Sequence, residues 1–328
     1  MQTSKLGSVY LRLLSVTLLA GFSFSASAQV AMTPDGALVA QNTAIEQSRI
    51  SNPPGGTGAT GMTADGTMLS SSASSGGEDD SFGAQQILKE QQRVREFVVS
   101  GDASVFYTNN VALTRRNTIS DAFFVGNAGL SWYHNINSQL QIQIGGRASI
   151  FRYFDTSELD FENLGAGIGL SWTPQTPWGI SMFARYDFTE LLDKHSSELL
   201  QDHEFTVGAQ KIWVFNRRHS LTLGVVGSIG ISDPFAAQRD SVGGFAVYRL
   251  ALTDRLDTEL GYRLGGFFYN GGGRNDFNQI LNLGLHYHFA RWMEAGAFFS
   301  FTSNLSSVDA FKYGVINTGG GLAFTLWF

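Results

Sequence analysis

Two short stretches gather the side chains best suited to chemistry. Asp193-Lys194-His195-Ser196-Ser197-Glu198, followed closely by Asp202-His203-Glu204, supplies hydroxyls, two imidazoles and several carboxylates. From such parts a serine hydrolase assembles nucleophile, base and orienting acid. No recognisable hydrolase motif surrounds them, so the reading carried forward is a solvated polar loop that could bridge lipid phosphates through divalent cations. No catalytic residue is expected. His286 and His288 stand two apart, which on a strand puts both on one face. A metal would need further ligands that the sequence does not show, so a histidine pair without a metal is expected. The chain has no cysteine, which removes thiolate metal sites, disulfides and a lipidated amino-terminal Cys. A third set is ionic: Asp102, Arg147, Arg185, Asp187, Arg249, Glu259, Arg263 and Glu294, with His286, stand singly in otherwise apolar stretches. The acids and arginines among them balance. Nothing implies a cofactor, and a net charge of -6 gives no hold on nucleic acid.

Charges set singly among apolar residues require elements whose two faces differ. Beyond Phe97 no run reaches 18 apolar residues, yet apolar residues alternate again and again with small or polar ones. Leu164, Ala166, Ile168, Leu170 and Trp172 share one face with Gly165, Gly167, Gly169 and Ser171 on the other; Leu281, Leu283, Leu285 and Tyr287 alternate with Asn282, Gly284, His286 and His288. That dyad repeat is the mark of a transmembrane β-strand. Composition agrees: charged residues are only 15%, with 38 Gly and 26 Phe, unlike a helical membrane protein or a charged soluble surface.

Twelve strands are predicted, at 97–107, 121–133, 139–153, 161–173, 178–190, 201–214, 219–232, 241–252, 256–269, 277–289, 292–303 and 312–328. The fold class is therefore all-β, an antiparallel up-and-down transmembrane barrel with an apolar outside. Short gaps at 135–138, 174–177, 215–218 and 253–255 alternate with longer ones at 108–120, 191–200 and 304–311, as periplasmic turns alternate with outer loops. Both mature termini then fall in the periplasm. All six tryptophans, Trp132, Trp172, Trp178, Trp213, Trp292 and Trp327, lie at the periplasmic ends as membrane-interface anchors. Phe106, Tyr107, Phe123, Phe154, Phe188, Phe268, Tyr269, Phe301 and Tyr313 crowd the opposite rim as a second girdle.

The charged set then lines the lumen, because Arg on the lipid face near the midplane costs about 2–4 kcal/mol. Opposed charges there select small polar solutes, or fill the barrel as a salt-bridge network. Inward Gly145, Gly165, Gly167, Gly169, Gly224, Gly261, Gly265 and Gly284 favour open volume.

Ahead of the barrel, Lys5 and Arg12 precede an apolar run from Leu13 to Phe24 and Ala26-Ser27-Ala28, a secretory signal over 1–28 that is cleaved before Gln29. Residues 29–84, rich in Ser, Gly, Thr, Ala and Pro, read as a disordered periplasmic linker. Met32-Thr33-Pro34-Asp35-Gly36 and Met62-Thr63-Ala64-Asp65-Gly66 resemble each other within it, by chance in a biased composition or as docking motifs for a periplasmic partner. Residues 85–96 hold good helix formers and read as a short helix.

The chain ends Leu322-Ala323-Phe324-Thr325-Leu326-Trp327-Phe328, an alternating strand with a terminal aromatic. This resembles the carboxy-terminal assembly signal of bacterial outer-membrane β-barrels, with Phe328 as its last residue. The resemblance covers 97–328 by architecture and is to porin-like barrels in general. It implies the outer membrane, contact with its lipids and with the barrel-insertion machinery, and a narrow channel for small polar solutes. Phe106-Tyr107-Thr108-Asn109-Asn110-Val111 also looks like strand-loop motifs of barrel porins near exopolysaccharide genes. That likeness implies an accessory barrel for polysaccharide export or envelope anchoring, and a lipid-modifying hydrolase is the remaining alternative.

Overall fold

The computed structural model describes residues 96–328, apart from Pro177. The signal, linker, twin pentapeptides and helix expected upstream lie outside the described residues, save Glu96. The described chain is a closed antiparallel barrel of twelve strands, each paired with its sequence neighbours, with β1 closing against β12. The strands are β1 Phe97–Thr108, β2 Asp121–Asn135, β3 Leu140–Tyr153, β4 Phe161–Trp172, β5 Ile180–Asp193, β6 Glu198–Asn216, β7 His219–Asp233, β8 Arg239–Ala251, β9 Leu256–Tyr269, β10 Asn275–Ala290, β11 Met293–Ser306 and β12 Tyr313–Trp327. At the seam the Phe328 amide donates to the Phe97 carbonyl at 2.9 Å.

The sheet is inside out relative to a soluble barrel. Leu164, Ile168 and Leu170 are 41–43% exposed, while the inward positions between them are the small Gly165, Gly167 and Gly169. Following the register through all twelve pairs returns to β1 displaced by about 18 residues, which with ordinary strand spacing and rise corresponds to a tilt of about 45° and a radius of about 13 Å. A wall that wide is not filled by short side chains.

The two ends differ. One, the turn end, carries both ends of the described chain and the connections 136–139, 173–179, 217–218, 252–255 and 291–292. The other, the loop end, carries 109–120, 154–160, 194–197, 234–238, 270–274 and 307–312. The long loop expected over 191–200 shrinks to 194–197. Asp193 closes a tight turn there: its Oδ1 accepts the amides of His195 and Ser197, each at 2.7 Å, and Ser196 takes φ 64°. The polar residues read as loop chemistry serve that turn and let both strands run on.

The barrel lumen as candidate functional site

Alternation from the paired registers settles which side chains face the lumen. Asp102 faces Asn127, whose Nδ2 donates to its carboxylate at 2.8 Å, so both share one face, and it is the inner one because the buried Phe123 and Val125 have the same phase as Asn127. Counting on by twos and across by register puts Arg147, Arg185, Asp187, Arg249, Glu259, Arg263, His286 and Glu294 on the same inner face. Allowing for tilt, Arg147, Arg185 and Arg263 stand at one level near mid-barrel. Arg147 lies within the electrostatic reach of Asp187, Arg185 and Glu204, and Arg263 within that of Glu204, Arg239 and Arg185. Arg185 Nε donates to Asp187 at 2.5 Å.

The glycines of β4 explain how long charged side chains fit. A Cβ on Gly165 would stand 2.9 Å from Arg147 Nε, and one on Gly167 2.7 Å from Asp187 Oδ1. The charged groups lie along the wall over these residues instead of across the axis. Arg147 is nonetheless exposed while pointing inward, so open volume remains beside it in the middle of the lumen.

Toward the turn end the inner wall of β8 to β11 carries a second cluster. Arg249 donates to Glu259 at 3.0 Å, Asp257 lies 2.5 Å from His288 Nε2, and Glu294 lies 3.2 Å from His288 Nδ1 and 3.5 Å from His286 Nδ1. The third ionisable group that the sequence did not show beside the histidines is thus Glu294, brought from the next strand by register. Among the described residues no group of three such side chains is arranged to hold a metal.

Side chains pack along the inner wall of the loop end. Phe123, Val125, Phe151, Tyr153, Phe161, Leu191 and Leu200 point inward and pack with Val111 of the first loop and Ala237, with Phe106, Leu159 and Leu199 against them. Phe151 stacks on Phe161 at 4.2 Å between centroids and Phe106 on Phe123 at 5.1 Å. On the opposite arc Arg274 grips Asp276 through Nε at 3.0 and 2.9 Å and lies over the rings of Tyr269 and Phe311 at 3.9 and 3.7 Å. Leu113, Tyr313 and Val315 form a further buried group.

This corrects the second girdle. Of the aromatics assigned to it, Tyr107, Phe154, Phe268 and Phe301 are exposed, and Phe188 alternates outward with them. Phe106, Phe123, Tyr269 and Tyr313 have the opposite parity and close the interior. Among the tryptophans, Trp132, Trp172 and Trp213 face outward near the turn end, and Trp178 and Trp292 sit in its turns. Trp327 departs from the anchor role: it alternates inward, with its ring 6.4 Å from that of the inward, buried Tyr133.

Asp202, His203 and Glu204 do not converge. His203 alternates outward and bonds the hydroxyl of Tyr186 at 2.8 Å, whereas Asp202 and Glu204 point into the lumen. Adjacent strand residues cannot converge on one substrate, because their side chains leave opposite faces of the sheet.

An outer-membrane channel from Pseudomonas putida F1 superposes with a TM-score of 0.52 at 9% identity, over 74% of this chain and 100% of that one. The fold is that of a bacterial outer-membrane β-barrel. A bacterial polysaccharide outer-membrane secretin (TM-score 0.42, 10% identity, 72% of this chain and 99% of that) and the NanC porin (0.40, 7%, 69% and 100%) are similar at lower scores. No protein-family model matches the chain, and no curated protein sequence is similar to it.

Proposed function

We propose that the barrel is a narrow outer-membrane channel for small polar solutes, with its turn end and both mature termini in the periplasm. The observation that carries this reading is Arg147, inward, near mid-barrel and still exposed to open volume. A barrel built only as an anchor could fill that level with apolar side chains, since a charge held inside the wall is costly unless it is paired or solvated. The mixed charges of the wall suit polar solutes, and the packed loop end makes the outer opening the narrow part. The fold shared with the P. putida channel is compatible with conduction.

The exposed Phe328 at the seam suits recognition by the barrel-insertion machinery, and the apolar outer face suits contact with membrane lipids. Single-channel recording from the full chain in planar bilayers tests conduction. Discrete conductance steps are expected, and silence from folded, inserted protein would overturn it. The packed loop end favours one second reading, an accessory or anchoring barrel that engages a periplasmic partner through residues 29–84. Pull-down from envelope extracts with and without those residues tests it, and an unchanged partner set would count against it.

A further inference from the structure

We propose that His286 and His288 set the ion preference of the turn-end mouth, making it cation-favouring in mild alkali and indifferent in mild acid. The proposal rests on the channel reading and names a control on it. Both imidazoles come from β10 and face the lumen, 33% and 41% exposed, so solvent protons reach them. Glu294 of β11 bridges the two at 3.5 and 3.2 Å, and Asp257 of β9 holds the far nitrogen of His288 at 2.5 Å.

Every charged group facing them from the packed strands is accounted for. β8 contributes Arg249, β9 Asp257 and Glu259, and β11 Glu294, while Ala323 and Thr325, the inward residues of β12 at this level, carry no charge. Asp254, Arg255 and Arg291 lie in the exposed turns. With both imidazoles neutral, three carboxylates face one guanidinium, a net -2; with both protonated the sum is zero. Imidazole is the side chain whose ordinary titration, near pH 6.5, lies between about pH 5 and 8.

The test compares the full-length protein with its His286→Gln/His288→Gln variant in planar bilayers under a KCl gradient, at about pH 8 and about pH 5.5. The cation-over-anion permeability ratio of the unaltered protein should fall at least about fivefold, the factor that one unit charge at about 4 Å in water makes for a single ion. The variant should give the same ratio at both pH values. An unaltered protein whose ratio ignores pH, or a variant that keeps the dependence, overturns the proposal. Absence of any conductance sinks the channel reading instead, and the cluster is then read by NMR of the histidine side chains in the folded full chain. Glu294→Gln should move the titrations of both imidazoles together; if either stays put, the shared-carboxylate control is wrong.

Discussion

Phe151→Ala opens the loop-end packing at its tightest point. Phe151 is fully buried, stacked on Phe161, and sits among side chains from β2, β4, β5 and β6. Because the strands on either side are locked by backbone pairing, the site cannot collapse by strand movement, so the loss should lie in the full range for a buried Phe, about 3–5 kcal/mol. Adding Phe123→Ala, also buried and stacked on Phe106, should cost less than the sum, since both cavities share neighbours. Urea unfolding of the liposome-inserted protein, followed by tryptophan emission, reads the stability. Planar-bilayer recording of the same preparations reads transport, and conductance should rise from wild type to single to double variant. Lost stability with unchanged conductance would show that these rings are not the narrowest part of the path. Unchanged stability would refute the burial argument itself.

Further expectations follow from single contacts. Arg274→Ala leaves the nearly buried Asp276 without its bidentate partner and should cost about 3–5 kcal/mol in urea unfolding, with Arg274→Ala/Asp276→Asn recovering part of it. Gly208→Ala places a methyl 2.3 Å from the ring of Phe183 and 2.8 Å from the Val225 carbonyl, so it should destabilise by about 1–3 kcal/mol and reduce refolding yield. Glu96 accepts hydrogen bonds from Trp132 Nε1 and from the His134 ring, each at 2.9 Å, and these hold its carboxyl below the ordinary value of 4.5. Its folded pKa being the lower one, its stabilisation is present above about pH 4.5 and is lost as pH falls through that lower value. Trp132 emission should therefore change in acid in the unaltered protein and not in Glu96→Gln.

The twelve strands were legible because lipid acts on every strand in the same way. Each must show bulky apolar residues outward, and runs such as Leu164 to Trp172 repeat that demand in the local sequence. The inward charges followed from the same alternation. Parity could also have separated the plug from the girdle, since Phe106 shares its phase with Asp102, Phe123 with Asn127 and Tyr269 with Glu259. Aromatic rings were instead sorted by their nearness to a strand end, and that mixed two faces. The 202–204 triplet failed the same parity test. What no local pattern carries is register between strands: nothing near His288 in sequence announces Asp257 on one side and Glu294 on the other. The stagger of about 18 residues, and with it the width of the barrel, is equally a property of all twelve pairings together.

The proposed lumen, open from the turn end to mid-barrel and packed beyond it, can be mapped directly, because the chain contains no cysteine to interfere. Single Arg147→Cys and Phe151→Cys variants, folded into liposomes, would be exposed to a small charged methanethiosulfonate reagent and the rates of modification compared with Ser138→Cys in an exposed turn. Arg147→Cys should react within about tenfold of Ser138→Cys, and Phe151→Cys slower by orders of magnitude, since thiol reactivity follows access to water. Protection of Arg147→Cys as complete as that of Phe151→Cys would contradict an open lumen.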